Sequence, residues 1–159
     1  MVPTHQYPCV CVCVVDLMKR VKANDAVAIC VLGNYYYNGE GGITQDHTKG
    51  MDLYARSADL GFCNAHYNLA SIYYKGGYLK KAKFHLEAAA IVGNEVARDM
   101  LGCLEVQSGN MERAIKHWSI AASAGNFTSM NTLRLFFEKG NVSRESIDST
   151  LAAYNSACA

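Results

Sequence analysis

The sequence predicts an all-α protein in which about four helix-turn-helix repeats follow one another as a solenoid. Three glycines, Gly61, Gly93 and Gly125, recur 32 residues apart, and each follows a run of small residues. A leucine recurs in the same register, with a longer first interval, at Leu32, Leu69, Leu101 and Leu133. A period of this length is typical of repeat proteins, in which one unit cannot bury its own apolar face and must stack on its neighbour.

The residues between these landmarks predict two helices in each unit. In the second half of each unit, a small residue is followed four positions later by a large one and seven positions later by another small one. In the third unit these residues are Ala114, Trp118 and Ala121. Offsets of three, four and seven residues mark one face of an α-helix. The small side chains let neighbouring helices approach closely, and the large ones fill the space beside them.

The helix ends are predicted by local signals. Gly93-Asn94 and Gly125-Asn126 each combine a glycine, which readily adopts the left-handed conformation that ends a helix, with an asparagine, which caps the next helix. Ser143 is a similar start signal for the last helix. The expected helices cover 15–23, then the pairs 25–38 and 47–60, 63–75 and 78–92, 95–107 and 110–124, and 127–139 and 144–157.

The chain divides into a tail and a repeat array. Both prolines, Pro3 and Pro8, lie within residues 1–14, which we expect to be an irregular N-terminal tail. A lead-in helix follows at 15–23, and the array occupies residues 24–159. Its expected units are 24–61, 62–93, 94–125 and 126–159.

The balance of charges argues against binding to nucleic acid. The chain has 15 lysines and arginines against 14 aspartates and glutamates, so its net charge is +1. Nucleic-acid binding needs concentrated positive charge, because affinity grows with the number of phosphates neutralised. We therefore expect no nucleic-acid partner.

Hydropathy and cysteine usage predict an intracellular protein. The longest apolar run, residues 9–15, is far shorter than the roughly 18 residues that span a bilayer, and it lacks the flanks of a signal peptide. The chain has seven cysteines, an odd number, which suits free thiols in a reducing compartment. We expect a cytoplasmic location and no membrane insertion.

The first unit resembles the Sel-one-like repeat, a relative of the tetratricopeptide repeat. The family has a long loop between its two helices with the pattern glycine, aliphatic residue, two variable residues, aspartate, and GITQD at 42–46 matches it. The resemblance covers about residues 24–140 and rests on Leu32, Gly33, Tyr36, Gly39, Gly42, Asp46, Lys49, Tyr54, Ala58 and Gly61. It implies a right-handed α-α superhelix whose concave side binds a protein or peptide partner, in a scaffold or adaptor role without catalysis.

An alternative function comes from the same resemblance. Eukaryotic relatives can carry a zinc module before the repeats, which would make this chain a ubiquitin-ligase-associated protein with a missing or degenerate module. The candidate remnant is Cys9, Cys11 and Cys13, whose spacing departs from the Cys-x-x-Cys pattern in which two thiolates bind one zinc.

Other reactive side chains give no catalytic or metal-binding pattern. Cys30, Cys63 and Cys103 lie on the first helices of successive units, where they are expected to be core thiols, although a thiol-dependent enzyme is the other possibility. His85 and His117 are one repeat apart, so they should lie roughly 10 Å from each other, too far to share a metal ion. We expect no catalytic residue, metal site, cofactor or small-molecule substrate.

The recurring leucines also predict which residues line a partner-binding groove. If the first helix of each unit faces the concave surface, the residues two before, two after and five after each leucine point inward. This rule selects Cys30, Asn34, Tyr37, Tyr67, Ser71, Tyr74, Asp99, Cys103, Val106 and Asn131. Of these, the groove is predicted to use Asn34, Tyr37, Tyr67, Ser71, Tyr74, Asp99 and Asn131. Tyrosine offers a large contact area with a polar tip, although Tyr37 and Tyr74 could instead pack between helices.

Overall fold

The computed structural model describes residues 10–158, with side chains described from Val14 onward. Over this range the protein is all-α, as predicted, with nine helices and no strand. The helices are α1 (Val10–Lys22), α2 (Ala26–Asn38), α3 (His47–Asp59), α4 (Cys63–Lys75), α5 (Leu79–Ile91), α6 (Glu95–Gln107), α7 (Met111–Ser123), α8 (Phe127–Glu138) and α9 (Arg144–Ala157).

The eight helices from α2 to α9 begin and end within one residue of the expected positions. Side-chain caps explain this agreement at the starts of α2, α3, α6, α8 and α9. Gly93 and Gly125 both have positive φ, at 98° and 93°. The Asn94 side chain then accepts a hydrogen bond from the Ala97 amide, and that of Asn126 from the Ser129 amide, each at 2.8 Å. Each helix start therefore satisfies one of its free backbone donors within four residues of the chain.

The start of α1 differs from the expectation. The helix begins at Val10 and not at residue 15, so the prediction of an irregular tail is wrong for residues 10–14; residues 1–9 lie outside the described part. No proline or glycine occurs between Pro8 and the end of α1. The low helix propensity of valine costs only a few tenths of a kcal/mol per residue, about 0.5 at most, so it does not stop a helix.

The described residues form two compact units, which divide between Leu69 and Ala70, within α4. In the first unit, α2 packs against both α1 and α3. Its core is centred on Leu17, Ala28 and Leu32.

In the second unit, α6 packs against α5 and α7, and α7 also contacts α8 and α9. Trp118 is the largest side chain of a core that also includes Ala114, Ala122, Met130, Leu133, Val142 and Ile147. The recurring Leu101 and Leu133 are almost fully buried, each 1% exposed. The positions that define the period of the sequence are therefore positions of the core.

Candidate functional site

In the first unit, the predicted groove residue Asn34 belongs to a hydrogen-bond network. Its Oδ1 accepts a bond from the Tyr54 hydroxyl at 2.7 Å and a longer one from the Asn68 amide at 3.3 Å. The same Asn68 amide lies 3.6 Å from the sulfur of Cys30. Burial raises the pKa of Tyr54 to about 12, which keeps its hydroxyl protonated as a donor. Asn34 therefore links α2 to α3 and to the first half of α4.

Tyr37 packs between α2 and α3. Its ring centroid lies 4.7 Å from that of His47 and 6.0 Å from that of Tyr54. The close approach depends on Gly50, because a Cβ atom there would lie 2.8 Å from the Cβ of Tyr37. Tyr67, the third predicted residue in this unit, is half-buried on α4.

In the second unit, Tyr74 and Asp99 also have partners within the protein. The Tyr74 hydroxyl accepts a hydrogen bond from the Gln107 amide at 2.8 Å. The Asp99 carboxylate accepts a short hydrogen bond from the Ser129 hydroxyl, and its backbone carbonyl accepts one from the Trp118 indole at 3.2 Å. Asp99 therefore connects α6 to both α7 and α8.

The seven predicted groove residues thus fall into two groups. Asn34, Tyr37, Tyr74 and Asp99 contact neighbouring helices. Tyr67, Ser71 and Asn131 are half-buried, and their side chains make no hydrogen bond to another described residue. All seven lie on the first helices of their repeats, and their role in binding stays a prediction.

The second unit contains a buried carboxylate, Glu105, with basic neighbours, and the sequence predictions do not include it. The side chain of Glu105 is 1% exposed, and its carboxylate accepts hydrogen bonds from Lys83 at 2.6 Å and from Asn110 at 2.9 Å. Arg113 lies 3.8 Å from the same carboxylate. The Lys83 hydrogen bond lowers the pKa of Glu105, so the carboxylate is ionised at neutral pH. One feature of the sequence could have indicated this carboxylate. At the position of Glu105, the other three units have an aromatic residue, namely Tyr36, Tyr73 and Phe137.

Two of the open grooves in the described part of the chain are lined by other residues. The larger, of about 540 Å³, is lined in the second unit by Glu112, Ile115, Lys116, Ser119, Ile120 and Ser146. The smaller, of about 400 Å³, is lined in the first unit by Met18, Leu32, Tyr36, Lys49, Asp52, Leu53 and Arg56. Neither groove includes a predicted groove residue.

Burial raises the pKa of Cys30 to about 11 and also raises that of Cys103, the opposite of what a thiolate nucleophile needs.

Among the described residues no cluster of three potential metal ligands occurs. The three cysteines of the candidate zinc module, Cys9, Cys11 and Cys13, lie outside the part of the chain whose side chains are described.

None of the described helices is both long and apolar enough to span a membrane.

Comparison with known proteins identifies the repeat. The model of the Sel1 repeat family matches residues 26–62, 63–94 and 101–126. No match to a curated protein was found.

Solved structures with similar folds include a Sel1 repeat protein from Oxalobacter formigenes, with 21% identity and a TM-score of 0.73. Another is c5321, a protective antigen with an SLR fold from uropathogenic Escherichia coli, with 26% identity and a TM-score of 0.70. Each similarity covers 89% of this chain, which spans 62% of the first protein and 32% of the second. A third is the immunity protein Pa5087 from Pseudomonas aeruginosa, with 26% identity and a TM-score of 0.57. This similarity covers 77% of this chain and 48% of the immunity protein.

Proposed function

The chain belongs to the Sel1 repeat family, and on this premise we propose that it is a cytoplasmic, non-enzymatic scaffold or adaptor that binds a protein or peptide partner. Proteins of this family generally mediate protein interactions. The match of three repeats over more than half of the chain is the observation that carries the proposal. In each compact unit, the first helices of its repeats are proposed to supply the residues that contact the partner.

The chemistry of these helices supports a peptide partner. Tyr67 in the first unit and Tyr74 in the second are half-buried, so each keeps part of its ring available to a ligand. Ser71 and Asn131 add a hydroxyl and an amide, which can hydrogen-bond the backbone of an extended peptide. Asn34, Tyr37 and Asp99 contribute by holding the first helices in place, since their polar or aromatic groups are engaged within the protein.

The proposal is tested by comparing tyrosine variants in affinity capture. Wild-type protein, the double variant Tyr67→Ala and Tyr74→Ala, and a control Tyr78→Ala would be used as baits in parallel. Tyr78 is 62% exposed but does not belong to the proposed groove, so it controls for the loss of a surface tyrosine. Loss of a central aromatic contact typically costs about 2 kcal/mol or more, which is roughly 30-fold in affinity.

We expect a partner that is retained by wild type and the Tyr78 variant and lost from the double variant. The affinity of the identified partner would then be measured by calorimetry with the same three proteins. Unchanged binding by the double variant, with loss of binding in Ile120→Ala from the larger open groove, would contradict the location of the site. Stoichiometric zinc in the purified protein would favour the ubiquitin-ligase-associated function instead.

A further inference from the structure

His117, on α7 in the second unit, has an unusual environment. Its Nδ1 atom is buried, and no described residue makes a hydrogen bond with it. In the neutral ring with the proton on Nε2, this nitrogen is an acceptor without a donor. Protonation would convert it into a buried N–H donor without an acceptor and would add a full positive charge. Both changes are unfavourable at Nδ1, which water does not reach, while the ring as a whole is half-buried.

Of the four charged groups around His117, Glu105 favours its protonation and the three basic groups oppose it. The four groups are Lys83 from α5, Arg98 and Glu105 from α6, and Arg113 from α7. From α8 and α9, which also pack against α7, the described residues add no charged group to this set. The Glu105 carboxylate already accepts hydrogen bonds from Lys83 and Asn110, and Arg113 lies 3.8 Å from it. A protonated His117 would therefore be a fourth cation facing a single, already paired carboxylate.

We propose that His117 is a pH sensor within the third repeat: α7 packs tightly only while this imidazole is neutral, and its protonation loosens α7 and exposes the neighbouring Trp118. Trp118 follows His117 directly in sequence, is buried in the core of the second unit, and is held by the hydrogen bond from its indole to Asp99. Loosening of α7 breaks this hydrogen bond and brings the indole into contact with water.

The pH range of the transition follows from the direction of the pKa shift. Burial lowers the pKa of His117 below its ordinary value of 6.5; Glu105 acts in the opposite direction, and Arg98, Arg113 and Lys83 lower it further. The loosened state therefore binds the proton more readily than the packed state. Stability is complete above pH 6.5 and falls as the pH drops below this value. Glu105 stays ionised over this range because its own pKa is lowered.

The test uses Trp118 as the probe, since it is the only tryptophan of the chain. Its emission wavelength and its quenching by acrylamide would be followed from pH 8 to pH 5 in the full chain, for wild type, His117→Gln and His85→Gln. His85 occupies the same position one repeat earlier and serves as the matched control. His66, whose pKa is also lowered by burial, belongs to the first unit and is unchanged in all three proteins.

For wild type and His85→Gln we expect a red shift and increased quenching as the pH falls below 6.5, and for His117→Gln a flat profile. An NMR titration of the His117 ring in wild type should give a pKa below 6.5. If the glutamine variant does not fold, this titration and the wild-type Trp118 profile together test the proposal. The proposal is overturned by an identical transition in His117→Gln, by a flat wild-type profile, or by a His117 pKa above 6.5, which would mean that attraction to Glu105 dominates.

Discussion

Small and large residues are matched in pairs where the two helices of a repeat meet. A Cβ atom at Gly33 would lie 2.8 Å from the Tyr54 ring, and one at Gly102 would lie 2.7 Å from Cδ1 of Trp118. In the second repeat, the equivalent positions hold Ala70 and Leu86, both fully buried. The aromatic residues are therefore paired with glycine, and the smaller leucine is paired with alanine, as close packing requires.

This matching predicts a strong coupling between residues 102 and 118. Gly102→Ala should destabilise the wild-type protein, because the overpacking cost of about 1–3 kcal/mol outweighs the gain of at most about 1 kcal/mol in helix propensity. In a Trp118→Leu background, which copies the second repeat, the same substitution should be neutral or stabilising. Urea unfolding of the four proteins, followed by circular dichroism, measures the coupling. Equal effects in both backgrounds would contradict the pairing.

The buried carboxylate of Glu105 makes a second prediction for single residues. Glu105→Ala should lower the free energy of unfolding by about 1–3 kcal/mol, because it removes a hydrogen-bonded partner of Lys83 and Asn110. The cost is below that of a fully buried pair, since Lys83 is 35% exposed and can be solvated. Glu112→Ala, an exposed carboxylate on α7, is the control and should have little effect.

The pH dependence of this ion pair differs from that of His117. The pKa of Glu105 is lowered from its ordinary value of 4.5, so the stability it contributes is present at neutral pH. It is lost only as the pH falls below 4.5 and through the folded-state pKa. Unfolding curves of wild type and Glu105→Ala should therefore converge in strong acid. A difference that persisted there would show that packing, and not charge, accounts for the effect.

At the scale of the element, five helices begin after a residue whose side chain accepts a hydrogen bond from the first turn. Asn126 caps α8 through a single 2.8 Å hydrogen bond to the Ser129 amide. Asn126→Ala should cost about 1 kcal/mol, because it leaves a backbone donor without this partner. Thermal unfolding of this variant would be compared with Asn141→Ala, an exposed asparagine outside the helices. Equal midpoints for the two variants would show that the cap contributes nothing.

Helix ends were predictable because they are set locally. A glycine with positive φ and the asparagine after it act within a few residues of the chain, so their effect is visible in the sequence. The start of α1 lacked such a signal, since no capping residue separates Pro8 from Val10. Its position was therefore misjudged, although the helix itself was expected.

At the scale of the whole molecule, the repeat register predicts which leucines carry stability. Leu101 is only 1% exposed. Its replacement by alanine should lower the free energy of unfolding by roughly 2–5 kcal/mol, because the substitution leaves a cavity that the surrounding helices fill only partly. Leu135 is 51% exposed and provides the same chemical change without a cavity. Chemical denaturation of Leu101→Ala and Leu135→Ala measures the difference. A neutral Leu101→Ala would show that the register assigned to the third unit is incorrect.

The sequence by itself determined the helical class, the repeat period and the boundaries of α2 to α9, because periodicity and capping act between residues that are close along the chain. Only the tertiary structure decided which side chains of different helices contact one another. The partners of Asn34, the packing of Tyr37 against His47 and the ion pair between Lys83 and Glu105 all join different helices. Such contacts depend on the distance and rotation of one helix relative to another, which close packing of many side chains sets together and no short pattern encodes.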